Sequence, residues 1–203
     1  MVVLSRKERD RQLRRSDILK AAEHIFALKG YHKATIRAIA KEAQYATGTV
    51  YLHFKDKEVL YFVLLEEKMQ RLLSVVKEKT GHAENPRRKL EIYLWEGLNF
   101  FQENQDFFRI FMSDENQLSV EKRFLKSPTM MQLHEYVIGI LKEAQAGGVI
   151  SADLDLRQIG EVFAAILKTI VLKLLQEKND KGANLVDLSS LILRLFLNGT
   201  AKQ

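Results

Sequence analysis

The chain has 203 residues, of which 46% are hydrophobic and 29% charged, with 2 prolines and no cysteine. That much apolar material builds one or two packed domains, and the charge content with so little proline excludes a disordered or loop-rich all-β chain. The lack of cysteine excludes disulfides and thiolate zinc sites and fits a reducing compartment.

Met1 to Lys7 lack the apolar core of a secretory signal, and the longest apolar stretch, Val162 to Leu175, is broken by Lys168 and Lys173. The expectation is a soluble, cytoplasmic protein with no membrane span, cofactor or metal site. Its net charge of +6 is unevenly spread. The first 60 residues hold 13 Lys and Arg against 7 Asp and Glu, while the other 143 hold 19 of each. All the excess positive charge therefore lies at one end, as it would if that end met a polyanion. A solvated basic face remains the alternative.

The periodicity is helical nearly throughout. Ser5 and Glu8 have capping-box spacing at the start of a first helix whose apolar stripe is Ile18, Leu19, Ala22, Ile25 and Phe26, with Gly30 placed to end it. A second helix follows Thr35, a third covers about Thr47 to His53, and a longer one runs from Asp56 to Thr80. Asn85-Pro86 and Ser127-Pro128 each set an N-cap residue before a proline, predicting helices over about Pro86–Gln102 and Pro128–Ala146. A shorter helix is expected between them, about Asp106–Ser113. After Gly147-Gly148, Asp155 and Gln158 open the next helix, and Asn184 is the expected cap of the last, which ends near Asn198.

Thr35 to Phe54 is the segment that carries chemistry. Ile36, Ile39, Ala40 and Ala43 share one face of a two-turn helix, and Gln44-Tyr45-Ala46 is short enough only for a tight turn. In the following helix Val50 and Phe54 face inward, leaving Thr47, Gly48, Thr49, Tyr51 and His53 outward. Small polar groups on a short helix suit insertion into a DNA groove.

Ile18-Leu-Lys-Ala-Ala, Phe26, Gly30-Tyr31, Thr35-Ile-Arg-Ala-Ile-Ala, Ala43, Gly48-Thr-Val-Tyr51, Phe54, Lys55-Asp-Lys57-Glu58 and Leu60 together resemble the TetR (tetracycline-repressor-like) family of bacterial regulators. The resemblance implies an all-α protein of about nine helices. An N-terminal three-helix helix-turn-helix domain, residues 1–55, would precede a helical effector-binding and dimerisation domain, residues 56–203. It implies that Thr35 binds phosphate at a helix start and that Arg37 reaches a phosphate or a base edge. Thr47, Gly48 and Thr49 would lie against bases, while Tyr51, His53 and Lys57 contact phosphate. Where the family usually has Gly, an aliphatic residue and Ser in the turn, this chain has Gln44, Tyr45 and Ala46. Gln44 would need a left-handed backbone or an altered turn, capping would pass from Ala46 to Thr47, and Tyr45 becomes an added phosphate or base contact. Other readings stay open: Tyr51 packing on the first helix, Lys57 as a surface charge, and Arg6 to Arg15 as a solvated face rather than a basic arm on DNA.

The last two helices, with Ile159, Val162, Phe163, Ile166 and Ile170, then Leu188, Leu191, Ile192, Leu195 and Phe196, are apolar enough to expect a partner. The resemblance makes that partner a second subunit, hence a homodimer on a palindromic double-stranded operator. It also implies an effector cavity. Some of Trp95, Phe101, Phe108 and Met131 are expected to line it, suited to an apolar or amphipathic small molecule, with core packing the plain alternative. The leading reading is a repressor released by that ligand, ahead of an activator or an effector-independent regulator. An enzyme is disfavoured, since no Gly-rich nucleotide loop, HExxH or cysteine nucleophile is present. A purely structural helical dimer leaves the charge asymmetry unexplained.

Overall fold

The computed structural model describes residues 5–107, 119–176 and 185–200. Every regular element among them is helical: α1 (Arg6–Lys33), α2 (Ile36–Glu42), α3 (Thr47–His53), α4 (Lys57–Gly81), α5 (Pro86–Glu103), α6 (Ser119–Leu125), α7 (Pro128–Ala146), α8 (Leu156–Gln176) and α9 (Leu185–Thr200). The all-α expectation holds. No helix among the described residues is long and apolar enough to cross a membrane.

The chain divides into two compact units, one of Met1–Glu67 with Asp106–Phe124, the other of Lys68–Gln105 with Leu125–Gln203. In the first, α1 opens with the expected capping box: Ser5 Oγ accepts from the Glu8 amide at 3.3 Å, and the Glu8 carboxylate accepts from the Ser5 amide at 2.9 Å. Ile18, Leu19, Ala22, Ile25 and Phe26 are buried, as their spacing predicts, whereas Arg6 to Arg14 stand out in solvent. Gly30 adopts φ +72°, which breaks the helix and leaves one further turn, Tyr31–Lys33. The break tucks Tyr31 against Phe26 and Tyr61, with ring centroids 5.7 and 5.0 Å away. Ile36, Ile39 and Ala40 of α2, Val50 of α3, and Phe54, Leu60 and Tyr61 complete this core. Each such large side chain contributes about 1.5–3 kcal/mol on burial. At the start of α4, Asp56 Oδ1 accepts from the Val59 amide at 2.7 Å.

α6 was not foreseen, because no cap or periodic run marks it. Its Phe124 is fully buried and meets Phe62 edge-on at 6.2 Å, while Arg123 lies over the Phe62 ring and pairs with Glu58 at 3.2 Å. The helix expected at Asp106–Ser113 lies mostly outside the described residues, as does the expected cap Asn184.

In the second unit the local signals fix the helix starts. Asn85 Oδ1 accepts from the Arg88 amide at 2.9 Å, Ser127 Oγ from Met130 at 3.4 Å, and Asp155 Oδ1 from Arg157 at 2.8 Å and Gln158 at 3.2 Å. Leu90, Leu94 and Leu98 of α5, Val137, Ile140 and Leu141 of α7, Phe163 of α8, and Ile192 and Phe196 of α9 form one core. Gly160 brings α8 onto α7: a Cβ there would stand 2.7 Å from Ile138 Cδ1. Ala164, one turn further along α8, is exposed. Within this unit Lys79 of α4 meets the buried Glu96 of α5 at 2.7 Å.

Candidate nucleic-acid interface

The turn between α2 and α3 sets the angle at which α3 is presented. The Tyr45 amide donates to the Ala40 carbonyl at 2.9 Å and the Gln44 amide to Lys41 at 3.1 Å, a Schellman closure with Gln44 in the left-handed position at φ +60°. α7 ends in the same way, with Val149 donating to Ala144 at 2.8 Å and Gly148 at φ +72°. Of the two turn solutions open in the sequence, the chain takes the left-handed one. A side chain there costs about 1–2 kcal/mol, less than one buried aromatic contributes. Gln44→Gly is therefore expected to raise the unfolding free energy of this unit by about 1 kcal/mol, read as a rightward shift in urea unfolding; no shift would mean the strain is relieved in the native turn.

Tyr45 does not extend towards DNA. Its hydroxyl donates to Asp17 Oδ2 of α1 at 2.9 Å, and this bond, with burial and the Asp17 charge, raises the phenol above its ordinary pKa. The added contact assigned to it is thus an intramolecular tie. Capping did not pass to Thr47 either: Ala46 is the N-cap and no side chain bonds there, so the exposed Thr47 hydroxyl is not consumed. Thr35 Oγ1 accepts from the Ala38 amide at 3.1 Å and is exposed, which leaves its O–H free to donate to a phosphate. Arg37, two residues further on, is exposed.

On α3, Val50 and Phe54 are buried as predicted, and Gly48, Tyr51, Leu52 and Lys55 lie on the opposite side in solvent. Tyr51 is 54% exposed, so its ring is open to solvent rather than buried in the core. Thr49 and His53 flank this strip, half-buried. Leu52, which is not among the outward residues read from the sequence, is 78% exposed; the helical spacing from Val50 already places it outward.

Lys57 is elsewhere. Its ammonium donates to the carbonyls of Tyr31 at 2.8 Å, His32 at 3.3 Å and Ala34 at 3.0 Å, and it lies 4.3 Å from the Tyr31 ring centroid. Its donors are all directed at the end of α1, so the phosphate contact expected of it is replaced by a clamp on that helix terminus. Desolvation lowers its pKa from the ordinary lysine value.

Of the expected effector residues, Trp95 is half-buried against the second unit's core and Phe101 is buried. Met131 is 55% exposed, which removes it from any enclosed lining; Phe108 lies outside the described residues.

Residues 18–64 match the family described as bacterial regulatory proteins, tetR family. The chain is similar to the "Fatty acid metabolism regulator protein" of Bacillus subtilis, 28% identical over 90% of this chain and 93% of that protein. A 62-residue stretch is 39% identical to the HTH-type transcriptional repressor Rv1474c of Mycobacterium tuberculosis, covering 30% of this chain and 33% of the other. Among solved structures, the transcriptional regulator FadR from Bacillus subtilis in complex with stearoyl-CoA superposes with TM-score 0.81 at 25% identity, over 91% of this chain and 98% of that one. The fatty acid degradation regulator FadR from Bacillus halodurans superposes with TM-score 0.82 at 23% identity, over 91% and 98%, a likeness of fold.

Proposed function

We propose that this chain, which belongs to the tetR family of bacterial regulatory proteins and is a DNA-binding transcriptional regulator rather than an enzyme, acts as a homodimeric repressor that a long-chain acyl thioester releases from a palindromic operator. The observation carrying the DNA half is the exposed α3 strip beside Thr35 and Arg37, held by a packed core at the basic end of the chain. In this reading residues 1–55 read DNA, and residues 56–203 take the effector and the second subunit. Thr35, Arg37 and Tyr51 position the head on phosphates; Thr47, Gly48 and Thr49 meet base edges.

The effector half is carried by similarity to regulators whose names and contents are fatty acid metabolism and stearoyl-CoA. Two features of this chain support it. The α5–α7–α8–α9 unit is rich in aliphatic and aromatic side chains, and a polar cleft of about 520 Å³ where α4 gives way to α5 is lined by Lys79, His82, Arg87 and Arg88 together with Glu84 and Glu91, Glu91 being paired with both arginines at 3.7 and 2.8 Å. An amphipathic ligand needs both kinds of surface. Ligand would favour a spacing of the two heads that does not fit DNA, and linkage then requires operator DNA to weaken ligand binding by the same factor.

The test uses the sole tryptophan, Trp95, as reporter. Stearoyl-CoA is expected to change its emission saturably and to release a labelled promoter duplex, whereas free coenzyme A does neither. Release by neither stearoyl-CoA nor a free fatty acid would overturn the effector reading and leave DNA binding standing. Thr49→Ala is expected to change the preference among operator variants by about 1 kcal/mol or more, while Tyr51→Ala weakens all of them alike. An unchanged ranking with Thr49→Ala would show that Thr49 reads nothing.

A further inference from the structure

A groove of about 730 Å³ runs between the first turns of α1 and the end of α3. Arg6, Lys7, Arg11 and Arg14 line its α1 side with a single carboxylate, Asp10, and Leu52 and His53 line its α3 side. None of the four cations forms an ion pair among the described residues, although carboxylates hold their neighbours: Arg15 is bonded to Glu67. An uncompensated cluster repels itself, and it is tolerable where a polyanion settles on it. A solvated basic face would explain the arginines but not Leu52, the most exposed of the large apolar side chains given for the described residues.

A nucleic-acid strand has that same alternation of anionic phosphate and apolar sugar. Lys7, Arg11 and Arg14 follow one another along one side of α1 at rises of about 6 and 4.5 Å, within reach of consecutive phosphates. We propose that this groove seats one sugar–phosphate strand beside the half-site that α3 reads, with Arg11 and Arg14 on flanking phosphates and Leu52 packed on the deoxyribose between them. The inference rests on the DNA-binding reading above and adds to it a clamp that is indifferent to sequence.

His53 gives the clamp a second readout. Burial and the charges of Arg11, Arg15 and Arg14 hold its imidazole below the ordinary histidine value, so it is neutral in the free protein at neutral pH. Arg6 and Lys7 add positive charge from the same helix, and Asp10 is the only carboxylate on the groove. A phosphate entering offsets that field and raises the imidazole's affinity for a proton. The complex then holds more protons than the free protein, so affinity for DNA rises as pH falls from 8 to 6.

Fluorescence anisotropy with two duplexes, one from the protein's own promoter and one of scrambled sequence, tests the proposal. Arg11→Gln and Arg14→Gln are expected to weaken both duplexes about tenfold and to lower the slope of log affinity against log salt by about one each. Leu52→Ala is expected to weaken both by roughly three- to tenfold at an unchanged salt slope; its exposure makes the fold indifferent to the change, which circular dichroism checks. The wild-type rise at low pH should vanish in His53→Gln. Unchanged salt slopes and Leu52→Ala binding at wild-type strength would overturn the groove while the wild type still binds DNA. A Leu52→Ala loss confined to the promoter duplex would make Leu52 a base reader and overturn its sugar contact. A wild type that binds neither duplex sinks the regulator reading and this inference with it.

Discussion

Replacing Leu195 with glutamate is expected to split the homodimer proposed above into folded monomers that bind the operator no more tightly than a duplex of scrambled sequence. Leu195 is 64% exposed on α9, Leu191 lies one turn before it, and Val162 of α8 is exposed to a similar degree. On α9 the other side of the helix is spoken for, since Ile192, Leu193, Phe196 and Leu197 are buried in the unit's own core. Two apolar stripes on one sixteen-residue helix are more than a monomer needs. In a two-fold dimer each substitution occurs twice, so two unpaired carboxylates are buried at once. Even at about 2 kcal/mol for each, the pair raises the dimer dissociation constant by roughly three orders of magnitude. A single head can engage only one half-site, which leaves the sequence-indifferent binding that phosphate contacts supply. Sedimentation velocity and anisotropy on the promoter duplex read the two effects separately. Leu195→Ala, which removes area without adding charge, should fall between. A Leu195→Glu protein that remains dimeric and binds operator as tightly as wild type would place the interface elsewhere than on α8 and α9.

The parts of the fold that were legible in the sequence are those whose causes are local. A capping box needs only Ser5 and Glu8, and a proline behind an N-cap needs only Asn85-Pro86 or Ser127-Pro128, so the helix starts were predicted to the residue. Val50 and Phe54 could be turned inward because a two-turn helix has room for one buried stripe. Met131 was legible too but misread: Thr129, Leu133, Val137 and Ile140 define the buried side of α7, and the position two residues after Thr129 falls on the opposite side. Helical spacing, not aromatic and Met content, decides which side of α7 is buried.

What stayed hidden depends on residues brought together by tertiary packing. Tyr45 looked like a free hydroxyl beside the reading helix until α1 supplied Asp17, 28 positions earlier in the chain. α6 carries no cap signal, and Phe124 becomes a core residue only because Phe62 of α4 is beside it. For the candidate site, the strip on α3 was therefore readable from periodicity, and the ties that hold α3 in place were not.

Lys57 is the sharpest of these cases, and its replacement by methionine separates two roles. If the ammonium met a phosphate, Lys57→Met would leave the free protein as stable as before and lower the salt slope of DNA binding by about one. The structure instead directs it at three carbonyls of the last turn of α1, over the ring of Tyr31. Hydrogen bonds from a charged donor contribute about 1.5–3 kcal/mol each when buried, but this group is half-exposed and water can re-solvate part of what it leaves. The expected loss is therefore about 2 kcal/mol of unfolding free energy without DNA, read in urea. The salt slope should stay at its wild-type value, because no phosphate contact is removed. Methionine keeps the unbranched stem, so packing beneath the ammonium survives and the loss is assigned to the charge. Lys57→Arg should not rescue it, since a planar guanidinium cannot direct its donors to three carbonyls converging on one point. Tyr31 makes the consequence wider than one helix end: it is packed on Phe26 and Tyr61, so loosening its turn loosens the core on which α2 and α3 rest. Operator affinity should accordingly fall for every sequence alike, and it should recover where the folded head is restored at lower temperature. Unchanged stability with a reduced salt slope would return Lys57 to the phosphates.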